Sequence, residues 1–305
     1  MKIYLAGERE GAKIDRITGE LILPLWVRNI KRRLFSYYYH SENNKISADI
    51  KASAKMGLDL FLDSGAFTAF TKKVTIPIEH YAHYVNSYKN VWTTCSSLDA
   101  IGQGEKAAKE SYENFNKLKE LGANVKPVFH VREPNEWLIR YIKEKNDYVF
   151  IGGMVPETTQ WLMQRLDELW TTILTHADGT PKVKIHGFGL TDQKLMFRYP
   201  WYSVDSTSWL MLGIYGSCFI PIGNKVLKIN FSNESTSLRK INGWHFKNLP
   251  LVSQKEVREL MVRYGVTPEQ CAEHYSFRDA VNAQVFQEME RMAITKFTHS
   301  QETLF

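Results

Sequence analysis

Between Lys2 and Asp205 short apolar runs alternate with amphipathic stretches, and most of the runs end alike, on a carboxylate, an imidazole or a pair of glycines. Alternation of this kind predicts a parallel sheet, because strands running side by side in one direction need a crossover long enough to hold a helix. About eight strands spaced in this way predict an α/β chain folded as a (β/α)8 TIM barrel. A doubly wound open sheet is the competing layout. The predicted strands are Lys2 to Gly7, a run inside Ile30 to His40, Leu58 to Leu62, Val91 to Ile101, Val125 to His130, Tyr148 to Gly153, Val183 to Gly189 and one ending at Asp205. Helical spacing falls at Ile78 to Tyr84, Glu105 to Leu121 with Gly122 as its stop, Asn135 to Lys145, Thr159 to Leu174 and, briefly, Asp192 to Phe197.

The rhythm breaks after Trp209. Phe219 to Phe231 predicts a hairpin turning near Gly223-Asn224, and two helices are predicted to close the chain. The first is Ser253 to Tyr264, with Ser253 as N-cap and Glu256 three residues on; the second is Pro268 to about Thr295. The barrel core is therefore placed at 1–215. Residues 216–305 are expected as a hairpin and helices packed on it, not as an independent domain.

A 305-residue chain that is 44% hydrophobic and 24% charged has the make-up of a soluble globular protein. Its formal net charge of +6 permits a polyanionic partner without requiring one. Cys95, Cys218 and Cys271 are widely separated and odd in number, which predicts free thiols in a reducing compartment. No apolar stretch approaches the roughly 20 residues of a membrane span, and the short apolar run Ile3 to Ala6 makes no secretory signal. These features predict a cytoplasmic location; they say nothing of oligomeric state.

In a parallel barrel the strand ends share one rim, and that is where chemistry collects. Here the rim gathers Asp63-Ser64-Gly65, Asp99, His130, Gly152-Gly153, His186-Gly187-Phe188-Gly189 and Asp205. Two carboxylates at one rim are able to divide nucleophilic from acid/base work. Glycines there let a flat polar ligand reach backbone N–H and C=O groups. Structure alone would also use these residues: Asp63, Ser64 and Asp205 as caps or turn formers, His130 and His186 as satisfied histidines inside the barrel.

The order Asp63-Ser-Gly-Ala-Phe67, Leu98-Asp99, Ile151-Gly-Gly153, His186-Gly-Phe-Gly189 and Ser203-Val-Asp205-Ser-Thr-Ser-Trp209 resembles the tRNA-guanine transglycosylase superfamily. Within it the likeness is greatest to the phage-type DNA 7-deazaguanine transglycosylases, over roughly residues 1 to 215. The resemblance implies a TIM barrel that exchanges guanine for a 7-deazaguanine base, such as preQ0 or a derivative, giving modified DNA that resists restriction. It implies Asp205 as the nucleophile on the sugar C1′ and Asp63 as the acid, then base, for the exchanged purines. It further implies Asp99 as acceptor for the guanine N1–H and amine, with Ser64, Phe67, His130, Gly152, Gly153, His186 and Gly187 around the base.

Two departures separate the chain from the tRNA enzymes. Their C-x-C-x-x-C zinc site has no counterpart, Cys271-Ala-Glu-His274 offering only two ligands, so no metal or other cofactor is expected. Their Asp-Ser-Gly-Gly-Phe-Gln motif carries Ala66 and Thr68 here. DNA and a free 7-deazaguanine base are accordingly the expected partners, with no membrane. Lys72, Lys73, Arg239, Lys240, Trp244 and Lys247 are the candidate grip on the strand, although a solvated loop has the same composition. The alternatives are exchange on tRNA, another N-glycosyl transferase or hydrolase, a retaining glycoside hydrolase using Asp63 and Asp205, and a barrel that only binds nucleic acid.

Overall fold

The computed structural model describes residues 1–7, 13–15, 17–22, 24–102, 104–190, 192–223, 225–236 and 244–302. By internal contact the chain divides into two compact units, Met1–Gly7 with Arg32–Ser206, and Glu8–Lys31 with Thr207–Phe305.

The first unit is a parallel eight-stranded (β/α)8 barrel. In chain order its strands are β1 Lys2–Ala6, β2 Arg32–Ser36, β3 Asp59–Asp63, β4 Thr94–Cys95, β5 Val128–His130, β6 Tyr148–Gly152, β7 Lys184–Gly187 and β8 Ser203–Ser206. Apart from β4 and β5, each pairs with its neighbour in sequence, and β1 also pairs with β8, Tyr4 lying opposite Asp205. The remaining seam, between β4 and β5, is closed by a Ser96–Lys126 bridge, with the Lys126 N–H donating to the Cys95 carbonyl at 2.9 Å. Helices α1 Ala48–Lys55, α2 Ala66–Thr71, α3 Ile78–Ser87, α4 Gly104–Glu120, α5 Asn135–Lys143, α6 Thr159–Leu169 and α7 Gln193–Met196 fill the crossovers.

Strand alternation sorts the side chains. Leu60, Leu62, Val149, Ile151 and Val204 are fully buried at every second position, while the intervening residues turn into the barrel. There Tyr4, Leu34, Phe61, Val128, Tyr148 and Phe150 form one cluster, and Phe61 meets Tyr4 edge-on with ring centroids 5.4 Å apart. At the N-terminal end of the strands Asp59 accepts hydrogen bonds from Lys2 Nζ and the Tyr4 hydroxyl, both at 2.9 Å, with Arg32 Nε 3.4 Å away. Two residues beyond Phe61, Val128, Phe150 and Ser203 on the same inward faces, the strands emerge at the opposite end with Asp63, His130, Gly152 and Asp205.

Within this frame some predicted elements are shorter. The strand expected over Val91 to Ile101 is the pair Thr94–Cys95, since the hydroxyls of Ser96 and Ser97 and the Asp99 carboxylate belong to the loop that follows it. Gly122, at φ +77°, does follow the end of α4.

The second unit is built on α11, Tyr275–Glu302, which packs against α8 Ser208–Ile214, the hairpin strand β9 Ser217–Ile222 and the turn Leu25–Val27. Asn282 joins these pieces: its side-chain oxygen accepts from the Phe219 N–H at 2.7 Å, and its amide donates to the carbonyls of Trp209 at 2.9 Å and Ser217 at 3.3 Å. The predicted hairpin is present, β9 pairing antiparallel with β10 Lys225–Asn230. The closing helices differ from expectation. Pro250, not Ser253, precedes the first, α9 Leu251–Arg263, because proline's fixed φ starts a helix as well as a capping side chain does. The second is divided at His274, whose extended backbone separates α10 Pro268–Glu273 from α11. A capping box between Thr267 and Gln270 starts α10. Among the described residues no helix is long and apolar enough to cross a membrane.

Candidate active site

Asp63 ends β3, and the chain reverses at once through Gly65, whose φ is +77°. A Cβ at Gly65 would lie 2.5 Å from Tyr38 Cβ and 2.9 Å from the Tyr38 nitrogen, so only glycine fits both the backbone conformation and the space. The turn folds the Gly65 N–H back onto Asp63 Oδ2 at 3.0 Å. Burial nonetheless dominates: with the charges of Asp99 and Asp205 added, it pushes the Asp63 carboxyl up to about 7. A carboxyl poised there holds or releases a proton near neutral pH.

Asp205 lies one residue before the end of β8, in a different setting. Its Oδ1 accepts from the Gly189 N–H at 2.9 Å and faces His186 Nε2 at 3.2 Å. His186 is fully buried, and burial lowers its pKa against the pull of Asp205. A neutral ring beside a carboxylate donates from Nε2, which leaves Nδ1 to accept from the Ser203 hydroxyl at 2.5 Å. The Tyr148 hydroxyl in turn bonds Ser203 Oγ. Hydroxyl, hydroxyl and imidazole thus form a directed chain onto Oδ1, and both donors to Asp205 meet the same oxygen. Among the described residues Oδ2 has no donor, and it faces the rim.

Asp99 is the third carboxylate. Ser64, fully buried, donates through its N–H to Ser96 Oγ at 2.8 Å and through its hydroxyl to Asp99 Oδ1 at 3.3 Å. His130 Nε2 lies 2.8 Å from Asp99 Oδ2. Among the described residues each Asp99 oxygen has one hydrogen-bond partner and one lone pair to spare, the arrangement needed to accept two parallel N–H groups. Beside Asp99 lies a groove of about 460 Å³, with Ala69, Phe70, Ile76, Leu98 and Ile101 as its apolar wall and Glu110 and Asn114 on its polar side.

No family model and no curated protein matches the chain.

The other predicted residues are placed unevenly around these carboxylates. The space before Gly152 and Gly153 holds the His130 side chain, whose Cδ2 would lie 3.0 Å from a Cβ at Gly152 and whose Cβ would lie 3.1 Å from one at Gly153. Gly187 faces the Trp201 ring in the same manner, at 3.2 Å. Phe67 is 58% exposed on α2, with Phe70 exposed one turn on and Lys72 and Lys73 exposed beyond it. In the second unit Trp244 is exposed and Lys247 Nζ bonds Asn233 Oδ1 at 2.8 Å; Arg239 and Lys240 lie outside the described residues.

Ser203, read in the sequence only as a neighbour of Asp205, stands two residues before it on the same inward face of β8. Two participants escaped the sequence reading: Tyr148, on an inward position of β6, and Glu133. The latter sits three residues after the strand-end His130 and just before Pro134, a spacing that reads as an ordinary helix entry.

Proposed function

We propose that the chain is a DNA-guanine transglycosylase that exchanges guanine for a 7-deazaguanine base. The observation that carries this reading is the contrast between two carboxylates at one barrel rim. Asp63 is pushed up to about 7, as a proton donor and acceptor requires, whereas Asp205 is oriented through Oδ1 by a directed hydrogen-bond chain. Asp99, with a free lone pair on each oxygen, supplies the acceptor pair that the guanine N1–H and 2-amino group match.

In the first half-reaction Asp205 Oδ2 attacks C1′ as the C1′–N9 bond breaks. The bonding electrons leave with guanine, which takes the Asp63 proton. In the second, Asp63, now a carboxylate, removes the N9 proton of the incoming 7-deazaguanine, and N9 attacks C1′ from the face opposite Asp205, releasing its ester bond. Two inversions retain the configuration. A base stacked in a duplex does not reach a barrel rim, so the target nucleotide is flipped out or single-stranded. Exposed Phe67, Phe70, Lys72 and Lys73 beside Asp63 suit its neighbours.

Incubation of labelled preQ0 with guanine-containing DNA and, in parallel, with tRNA tests the proposal. Label is expected in DNA with the wild type and not with Asp205→Ala, and denaturing gels are expected to retain a DNA–protein adduct. Label in tRNA alone would assign the exchange to tRNA. Label in neither polymer, with DNA still bound, would leave a nucleic-acid-binding barrel.

A further inference from the structure

Glu133 is 3% exposed, and its side chain lies against His130 from the turn that follows β5. The two residues exchange backbone hydrogen bonds: the His130 N–H donates to Glu133 Oε2 at 3.1 Å and the Glu133 N–H to the His130 carbonyl at 2.9 Å. One carboxylate oxygen suffices for that turn. The other, Oε1, is buried without a hydrogen-bond partner among the described residues and stands 3.8 Å from His130 Nδ1. A carboxylate buried with one oxygen unpaired is costly, and a turn alone does not explain why an acid is kept there when an amide would close it equally well.

The surroundings hold the pair in place. Gly152 and Gly153 make room for the imidazole, and Arg165 on α6 donates to the carbonyls of Val131 at 2.8 Å and Glu133 at 3.3 Å and to Asn135 Oδ1 at 2.6 Å. The charged and titratable groups around the pair are Asp99 from the loop after β4, Tyr141 from α5 and this guanidinium from α6. Asp99 and Glu133 thus bracket one ring, a carboxylate at each nitrogen.

We infer that Glu133 is a positioning residue for base recognition: by facing Nδ1 it holds His130 as an imidazolium, so that Nε2–H fixes Asp99 in the orientation that accepts the guanine edge. The role of Asp99 in this inference rests on the transglycosylase reading; the state of His130 does not. Burial lowers the His130 pKa, but the hydrogen bond and charge of Asp99 together with the charge of Glu133 outweigh it and raise the value overall. Burial likewise pushes Glu133 up to about 7, against the opposing pull of His130. The two groups are therefore coupled through charge, the ionised form of each favouring the ionised form of the other.

Nitrogen-15 spectra of the histidine rings test this directly. In the wild type at pH 6.5 both His130 nitrogens are expected to carry protons. In Glu133→Gln, which keeps an acceptor for the His130 N–H, the ring is expected to lose its second proton at least about one pH unit lower. In the exchange assay the same variant is expected to raise KM for the free base about tenfold at pH 7.5 with kcat within about threefold. Its KM is expected to approach the wild-type value as the pH is lowered until the ring is protonated in both. A neutral His130 ring in the wild type at pH 6.5, or a His130 titration unmoved by Glu133→Gln, would overturn the inference whatever the assay shows. Should Glu133→Gln not fold, a neutral His130 ring in the wild-type spectrum still overturns the inference. Absence of exchange in the wild type, with His130 titrating as described, would count against the transglycosylase reading and not against the Glu133–His130 pairing.

Discussion

Asp63 is harder to ionise in the folded chain than in the unfolded one, and this has a measurable sign. Its carboxyl titrates at about 7 when folded against an ordinary value of 3.8. Between those values the unfolded chain has given up a proton that the folded chain still holds, so raising the pH draws the wild type toward the unfolded state. Asp63→Asn removes this dependence. Its stability relative to wild type is expected to rise from pH 4 to pH 7 by on the order of 3 kcal/mol and then level off, read by urea unfolding across that range. A difference independent of pH would contradict the burial argument. The acids and imidazoles of the site were legible because a strand that buries its interior in period two must bring its last polar residue to the rim. Glu133 was not, because what makes it part of the site is the unpaired Oε1 facing His130 Nδ1, and spacing carries no trace of an unpaired atom.

Among the elements, the barrel strands were read from their apolar runs, and the weakest of them shows why the bounds were not. β4 has only two residues in regular pairing, yet Ser96, one residue on, bridges to Lys126 and closes the seam with β5. In the C-terminal unit α11 was expected as part of one helix from Pro268, since helical periodicity runs through His274 without a proline or glycine to mark the break. The tie between α11, α8 and β9 runs through Asn282, which is fully buried and meets three backbone groups. Asn282→Leu strands one N–H and two carbonyls in an apolar setting. It is expected to cost about 3 kcal/mol in chemical denaturation, against under about 0.5 kcal/mol for an exposed control such as Lys255→Ala. Equal losses in the two variants would show that Asn282 only fills space.

For the molecule as a whole, alternation foretold the barrel, but the grouping of Glu8–Lys31 with Thr207–Phe305 was invisible, because it rests on pairings such as Trp26 with Trp209, 4.8 Å apart, that no local pattern encodes. The net charge of +6 is likewise a property of the entire chain. Binding to single-stranded DNA is expected to weaken steeply with salt, and the double variant Lys72→Ala/Lys73→Ala to lower the slope of log K against log salt by about 1–2. An unchanged slope would remove these lysines from the phosphate path. The far end of the barrel adds a kinetic consequence. Asp59, bonded to Lys2 and Tyr4, and the aromatic cluster above it fill the barrel interior at that end, which leaves the reaction to the rim with Asp63 and Asp205. On the proposed reaction both purines use the same base pocket at that rim, so the outgoing one must leave before its replacement enters, while the sugar stays tethered. Initial rates at several fixed DNA concentrations should then give parallel double-reciprocal lines, with free guanine competing against the incoming base.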